Sequence, residues 1–71
     1  MTEIIHNGVT YNAYAIKIEP SLGENKYAGK ARYAKNSEWV DLNELGEVWG
    51  KTAGEAEEKM EEKIKEYLGI N

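Results

Sequence analysis

The 71-residue chain has no cysteine and no phenylalanine, and only one histidine and one proline. Each scarcity removes a class of explanation. Without cysteine there are no disulfides, no thiolate metal sites and no cysteine nucleophile, which fits a reducing cytosol. The lone imidazole, His6, has no second nitrogen or sulfur ligand to complete a zinc site, so a histidine packed on or beside a strand is the plain reading of that position. No apolar run is long enough to span a bilayer, and Met1–Thr10 carries no secretory pattern. The expectation is a soluble, cytoplasmic protein with no membrane partner. Basic residues are also in short supply, nine against thirteen acids, for a net charge of −4. The segment from Glu55 to Glu66 holds six glutamates and three lysines, hence −3 of that −4. It would repel duplex DNA or an anionic membrane, while the remainder is nearly neutral. With no Phe, five Tyr and two Trp are the only aromatics, and a core that uses them must give their polar tips a partner or an exit to water.

What the chain does possess is a helix with both ends marked. Thr52 and Glu55 form a capping box, so the helix starts at about Ala53. Ala56, Met60, Ile64 and the pair Tyr67/Leu68 then recur at helical spacing on one face. Gly69 is placed to be the left-handed residue after the helix, with Ile70 following as in a Schellman ending. On the wet side, Glu55 to Lys59 and Glu61 to Lys65 have the favourable acid-first order. Glu58 to Glu62 and Glu62 to Glu66 oppose them, each pair being worth only about 0.2–0.5 kcal/mol. A helix of this length is marginal alone in water, so its apolar stripe must dock on the upstream residues.

Those residues read as strands. Asn7-Gly8 between β-prone segments is a hairpin signal, because both central residues of a type I′ turn need positive φ. The second arm continues through Tyr14, Ile16 and Ile18 until Pro20, and Ser21 to Asn25 reads as a turn. Tyr27 to Ala34 alternates as a third strand, and Asn36-Ser37-Glu38 is another turn. Of Trp39–Leu42 and Glu47–Gly50, the choice for a fourth strand is Val48–Lys51, leading into the capped helix. Tyr14, Ile16 and Ile18, with Tyr27, Ala31 and Tyr33, are expected under the helix, because the alternate set includes Lys17, Lys30 and Arg32. The fold class is α+β: one domain over 1–71, with a three- to four-stranded antiparallel sheet and one C-terminal helix packed on one face.

The chain offers little with which to do chemistry. The acids lie mostly on the wet side of the helix, and no pattern separates an acid from a base. Ser21 and Ser37 sit in turns with neither a nucleophile elbow nor a base. Gly46 and Gly50-Lys51-Thr52 have three residues between the glycines where a phosphate-binding loop has four. A hydrolase remnant would need acids clustered around a divalent metal. The chain is therefore read as not an enzyme, with no catalytic residue, cofactor or metal ligand.

Binding is the remaining class. Lys17, Lys30 and Arg32 stand among tyrosines on neighbouring strands, a combination that serves single-stranded nucleic acid, although the expected alternation sends those tyrosines to the opposite face. Trp39 and Trp49 either close the end of a small core, which the shortage of large apolar residues favours, or anchor a partner. Trp39, Trp49, Lys17, Lys30 and Arg32 are the candidate partner-binding residues, with a protein partner ranked ahead of nucleic acid.

The run Tyr14-Ala15-Ile16-Lys17-Ile18-Glu19-Pro20, the strand from Tyr27, and Gly50, Thr52, Glu55 and Ala56 opening an amphipathic helix that ends near Tyr67-Leu68 resemble HicB-like antitoxins. In that family a Gly-x-Thr-x-x-Glu-Ala pattern opens the helix of a degenerate ribonuclease-H-like β-β-β-α domain. The Leu-Pro-Gly-like turn usual after the family's second strand is missing, Asn36–Glu47 is an additional segment, and a C-terminal DNA-binding module is not expected. The resemblance implies a non-catalytic domain that meets another protein, a small ribonuclease toxin, through a sheet face or edge.

Overall fold

The computed structural model describes residues 2–70; Met1 and Asn71, the ends of the expected 1–71 domain, lie outside the described residues. Asn7 and Gly8 both adopt positive φ, 50° and 78°, and fold β1 (Thr2–His6) back on β2 (Val9–Leu22) with His6 opposite Val9. The same device recurs at Asn36 and Ser37, φ 56° and 68°, which join β3 (Asn25–Lys35) to β4 (Glu38–Asp41). A short 3-10 turn at Asn43–Leu45 then carries the chain to β5 (Val48–Gly50), which pairs with Tyr27–Gly29 of β3. The antiparallel sheet runs β1-β2-β3-β4, with β4 and β5 sharing the outer edge of β3. The helix α1 (Ala53–Leu68) closes the domain. This is the expected α+β architecture, with a fifth strand because both tryptophan-bearing segments pair with β3.

β2 is also longer than expected. It does not stop at Pro20 but runs to Leu22, and the turn narrows to Gly23-Glu24. Proline has no amide to donate, so the ladder to β3 lapses between Lys17 and Leu22 while the chain stays extended.

The helix ends follow the capping signals. Thr52 Oγ accepts from the Glu55 amide at 3.1 Å. At the other end Gly69 takes a left-handed φ of 72°, its amide donates to Glu66 O, and the Ile70 amide donates to Lys65 O. Both acid-first pairs form, Glu55–Lys59 at 3.2 Å and Glu61–Lys65 at 3.3 Å, and the Lys59 ammonium holds the Glu55 carboxyl below its ordinary range. Two helix lysines also tie α1 to the segment that feeds it: Lys59 Nζ donates to Trp49 O at 2.8 Å and Lys63 Nζ to Leu45 O at 2.6 Å.

Which sheet face the helix covers differs from the expectation. The register sets Tyr11 opposite Tyr33, Ala13 opposite Ala31 and Ala15 opposite Gly29 on one face, and Asn12 opposite Arg32, Tyr14 opposite Lys30 and Ile16 opposite Ala28 on the other. The core of Ala13, Ala31, Leu42, Met60 and Ile64 belongs to the first set, with Ile4, Tyr11, Tyr33, Leu45, Val48 and Leu68 packed around it. Ala31 and Tyr33 are under the helix as expected; Tyr14 and Ile16 are not. The cause is how close the helix comes. A Cβ built on Gly29 would collide with the Ala56 carbonyl and stand 2.8 Å from a Val48 methyl, and one on Gly50 would stand 2.6 Å from Ala56 N. No side chain fits at Gly29 or Gly50 beneath a helix seated that near, and the neighbouring β2 positions on that face are the small Ala13 and Ala15.

Substitution of two glycines separates this contact from generic glycine effects. Gly29→Ala forces the Ala56 backbone away and is expected to cost about 1–3 kcal/mol. Gly54→Ala in the first helical turn, where a Cβ would meet nothing within 4 Å, is expected to stabilise by roughly 0.5–1 kcal/mol. Urea midpoints at constant slope measure both; equal and small shifts would contradict the close approach.

Candidate functional site

With α1 on one face, the other face of the sheet is uncovered, and it collects the large side chains that the core excludes. Register and alternation place Ile5, Tyr14, Ile16, Lys30, Arg32, Trp39 and Trp49 together there. Trp39 and Trp49 keep 46% and 37% of their surface exposed, so neither closes the core. Their β4 and β5 positions oppose Ala34 and Ala28, whose small side chains leave the indoles standing above the sheet.

Arg32 organises this surface. Its guanidinium carbon lies 4.8 Å from the Tyr14 ring centroid and 4.5 Å from that of Trp39, between two aromatic π-systems. Its Nε donates to Asn12 Oδ1 at 2.8 Å, which gives the wholly buried Asn12 side chain a charged partner. Tyr14 Oη donates to Asp41 Oδ1 at 3.3 Å, linking β2 to β4 across β3. Burial first, and the Asp41 carboxylate second, push the Tyr14 phenol above its ordinary pKa. The result is a rigid patch: a cation clamped by two rings, floored by Asn12 and flanked by an acid.

The structure therefore brings four of the five candidate residues, Trp39, Trp49, Lys30 and Arg32, to one face. Lys17 is apart from them. It opposes Tyr27 on the helix side of the sheet, beyond the helix, and pairs with Glu19 at 3.9 Å. The expected separation of tyrosines from basic residues does not hold for Tyr14, which faces the same way as Lys30 and Arg32 because the alternation of β2 is shifted by one position. Tyr14 and Asn12 join the patch for that reason, and Asp41 joins it from β4, opposite Arg32. His6, at the end of the first hairpin, takes no part in it.

A second feature lies on the helix side, at the end of the sheet where α1 terminates. It is a cleft of about 260 Å³ lined chiefly by Tyr11, Tyr33, Tyr67, Lys35, Leu42 and Glu44. Tyr11 and Tyr33 are cross-strand neighbours with ring centroids 6.3 Å apart, tilted by 43°. Tyr67 Oη donates to Glu44 Oε2 at 3.4 Å, and that carboxylate is the main cause of a raised pKa at Tyr67. Nothing in the linear sequence marks this cleft, since its residues come from β2, β3, the 3-10 turn and α1. Among the described residues, no three His, Cys, Asp or Glu side chains gather closely enough to hold a metal ion, and no helix is long and apolar enough to cross a membrane.

The two perturbed phenols yield a pH prediction. Raised folded-state values mean that the neutral phenol is favoured by folding. The associated stability is fully present below the ordinary value of 10.0 and is lost as pH rises through the raised ones. Ring-carbon NMR titration should show Tyr14 and Tyr67 ionising later than a free tyrosine. Asp41→Asn should bring Tyr14 down and leave Tyr67 in place, and Glu44→Gln should do the reverse. Ordinary titration of both would contradict the two contacts.

Comparison of the chain with protein-family models, with curated proteins and with solved structures gives no match to any of the three.

Proposed function

We propose that the chain is a small non-catalytic binding domain of the cytoplasm that docks another protein on the open face of its sheet. The observation that carries this reading is that Tyr14 and Trp39 stack on Arg32, with Ile16 and Trp49 further along the same uncovered face. Tryptophan, tyrosine and arginine are the residues on which the centres of protein interfaces most depend. Here they are held in place before any partner arrives, which lowers the ordering cost of association. Charge supports a protein over a polyanion. Lys30 and Arg32 share the face with Glu3 and Asp41, so the patch is close to neutral. The resemblance to HicB-like antitoxins supports the same reading and makes a small ribonuclease toxin the partner to try first.

Single-stranded nucleic acid is the second reading, because Lys30 and Arg32 do share a face with Tyr14, Trp39 and Trp49. With three basic side chains on the face, Lys26, Lys30 and Arg32, its salt dependence would still be modest, a slope of about −2.1 in log K against log salt.

Both tryptophans lie on the proposed surface, so their fluorescence reports docking. The purified chain is titrated with the product of the neighbouring reading frame. Binding should shield the indoles from acrylamide, and Trp39→Ala should weaken it by about 2 kcal/mol or more. Full affinity in Trp39→Ala would overturn the placement of the site. Binding of oligonucleotides alone, abolished by Arg32→Glu, would replace the protein reading with the nucleic-acid one.

A further inference from the structure

The cleft at the C-terminal end of α1 lies across the sheet from the open face and is not used by the proposed docking. We propose that it binds a small zwitterion in which an alkylated ammonium group is joined to a carboxylate, the chemistry of a betaine. Three phenol rings contribute to one wall system: Tyr11 and Tyr33 from adjacent strands, tilted by 43° at 6.3 Å, and Tyr67 from the last turn of the helix. Ring faces attract cations, most strongly those that shed their water cheaply, and alkylated ammonium groups are such cations. Glu44, fixed beside Tyr67 by the 3.4 Å hydrogen bond, supplies the counter-charge. The negative end of the helix macrodipole lies on the same side.

Lys35 determines the other half of the ligand. It lines the same cleft as Glu44, and among the described residues no ion pair joins the two. A bare cation would meet a like charge at Lys35, and a bare anion would meet one at Glu44. A ligand carrying both signs satisfies each. Size sets the remaining limit: about 260 Å³ falls below the roughly 300–1,000 Å³ of pockets for drug-sized ligands, so the occupant is a compact metabolite of few heavy atoms.

The test is a ¹H–¹⁵N NMR titration of the full chain with glycine betaine, beside choline, which lacks the anion, and 3,3-dimethylbutanoate, which replaces the ammonium by a neutral carbon. Glycine betaine should give saturable shifts at the amides of Tyr11, Tyr33, Glu44 and Tyr67, and bind more tightly than either control. Glu44→Gln should weaken it by roughly tenfold, the scale of one lost charge contact. Lys35→Ala should narrow the preference for betaine over choline. Glu44 and Lys35 are both exposed, so these variants are expected to keep the wild-type fold, which the dispersed spectrum itself verifies. Absence of saturable shifts with betaine would overturn the proposal. So would equal binding of 3,3-dimethylbutanoate, or undiminished affinity in a folded Glu44→Gln chain.

Discussion

The structure depends on one close contact, the backbone of Ala56 in the first turns of α1 pressed against Gly29 and Gly50. It sets how near the helix lies to the sheet, and that distance sorts the rest of the sequence. Ala56 is buried against the two glycines, and Ala13 and Ala31 are buried against Met60 and Ile64. Met60 and Ile64, further along the helix, supply the largest apolar side chains that are fully enclosed. A domain of this size has a few kcal/mol of net stability to spare, so a seam of backbone-to-backbone proximity matters more here than in a larger core.

The same contact explains why the aromatic residues lie where they do. Tyr14, Ile16, Trp39 and Trp49 cannot be accommodated under the helix, and the alternation of the strands delivers them to the open face. That leaves apolar surface in water, at a cost that a monomer usually avoids. Arg32 and Asn12 offset part of it by giving the patch a hydrogen-bonded, cation-clamped centre. Tyr11 and Tyr33 lie on the covered face but toward the end where α1 terminates, so they line a cleft instead of filling the core. Both candidate surfaces thus follow from the size of side chain that the helix admits beneath it.

Much of the fold was legible in the sequence, and the failures are instructive. The Thr52 side-chain cap, the Gly69 ending and the Asn7-Gly8 hairpin are local signals in which the chemistry and the geometry involve the same few residues, and all three are present. The inward face of β2 differs from the expectation, which turned Tyr14, Ile16 and Ile18 inward because the alternate set includes Lys17, Lys30 and Arg32; the register instead sets the small Ala13 and Ala15 opposite Ala31 and Gly29 on the helix side. The Ala13, Ala15, Gly29 and Ala31 positions did carry that information as a stripe of small residues on paired strands, but it becomes visible only once the β2–β3 register is known. The strand expected at Val48–Lys51 is present as β5, whereas β4 has only four exposed residues and does not declare itself without β3 as a template. Of the five candidate residues, Trp39, Trp49, Lys30 and Arg32 share the open face and Lys17 lies on the other, a division that only the register reveals.

Methyl NOE spectroscopy gives the most direct test of which face the helix covers. A helix seated over Ala13 and Ala31 gives cross-peaks from the Met60 ε-methyl and the Ile64 methyls to the β-methyls of those alanines, with none from either to Ile16 or to the ring of Tyr14. Cross-peaks from Met60 or Ile64 to Ile16 and Tyr14, with Ala13 and Ala31 silent, would place the helix on the opposite face and remove the basis for both surfaces.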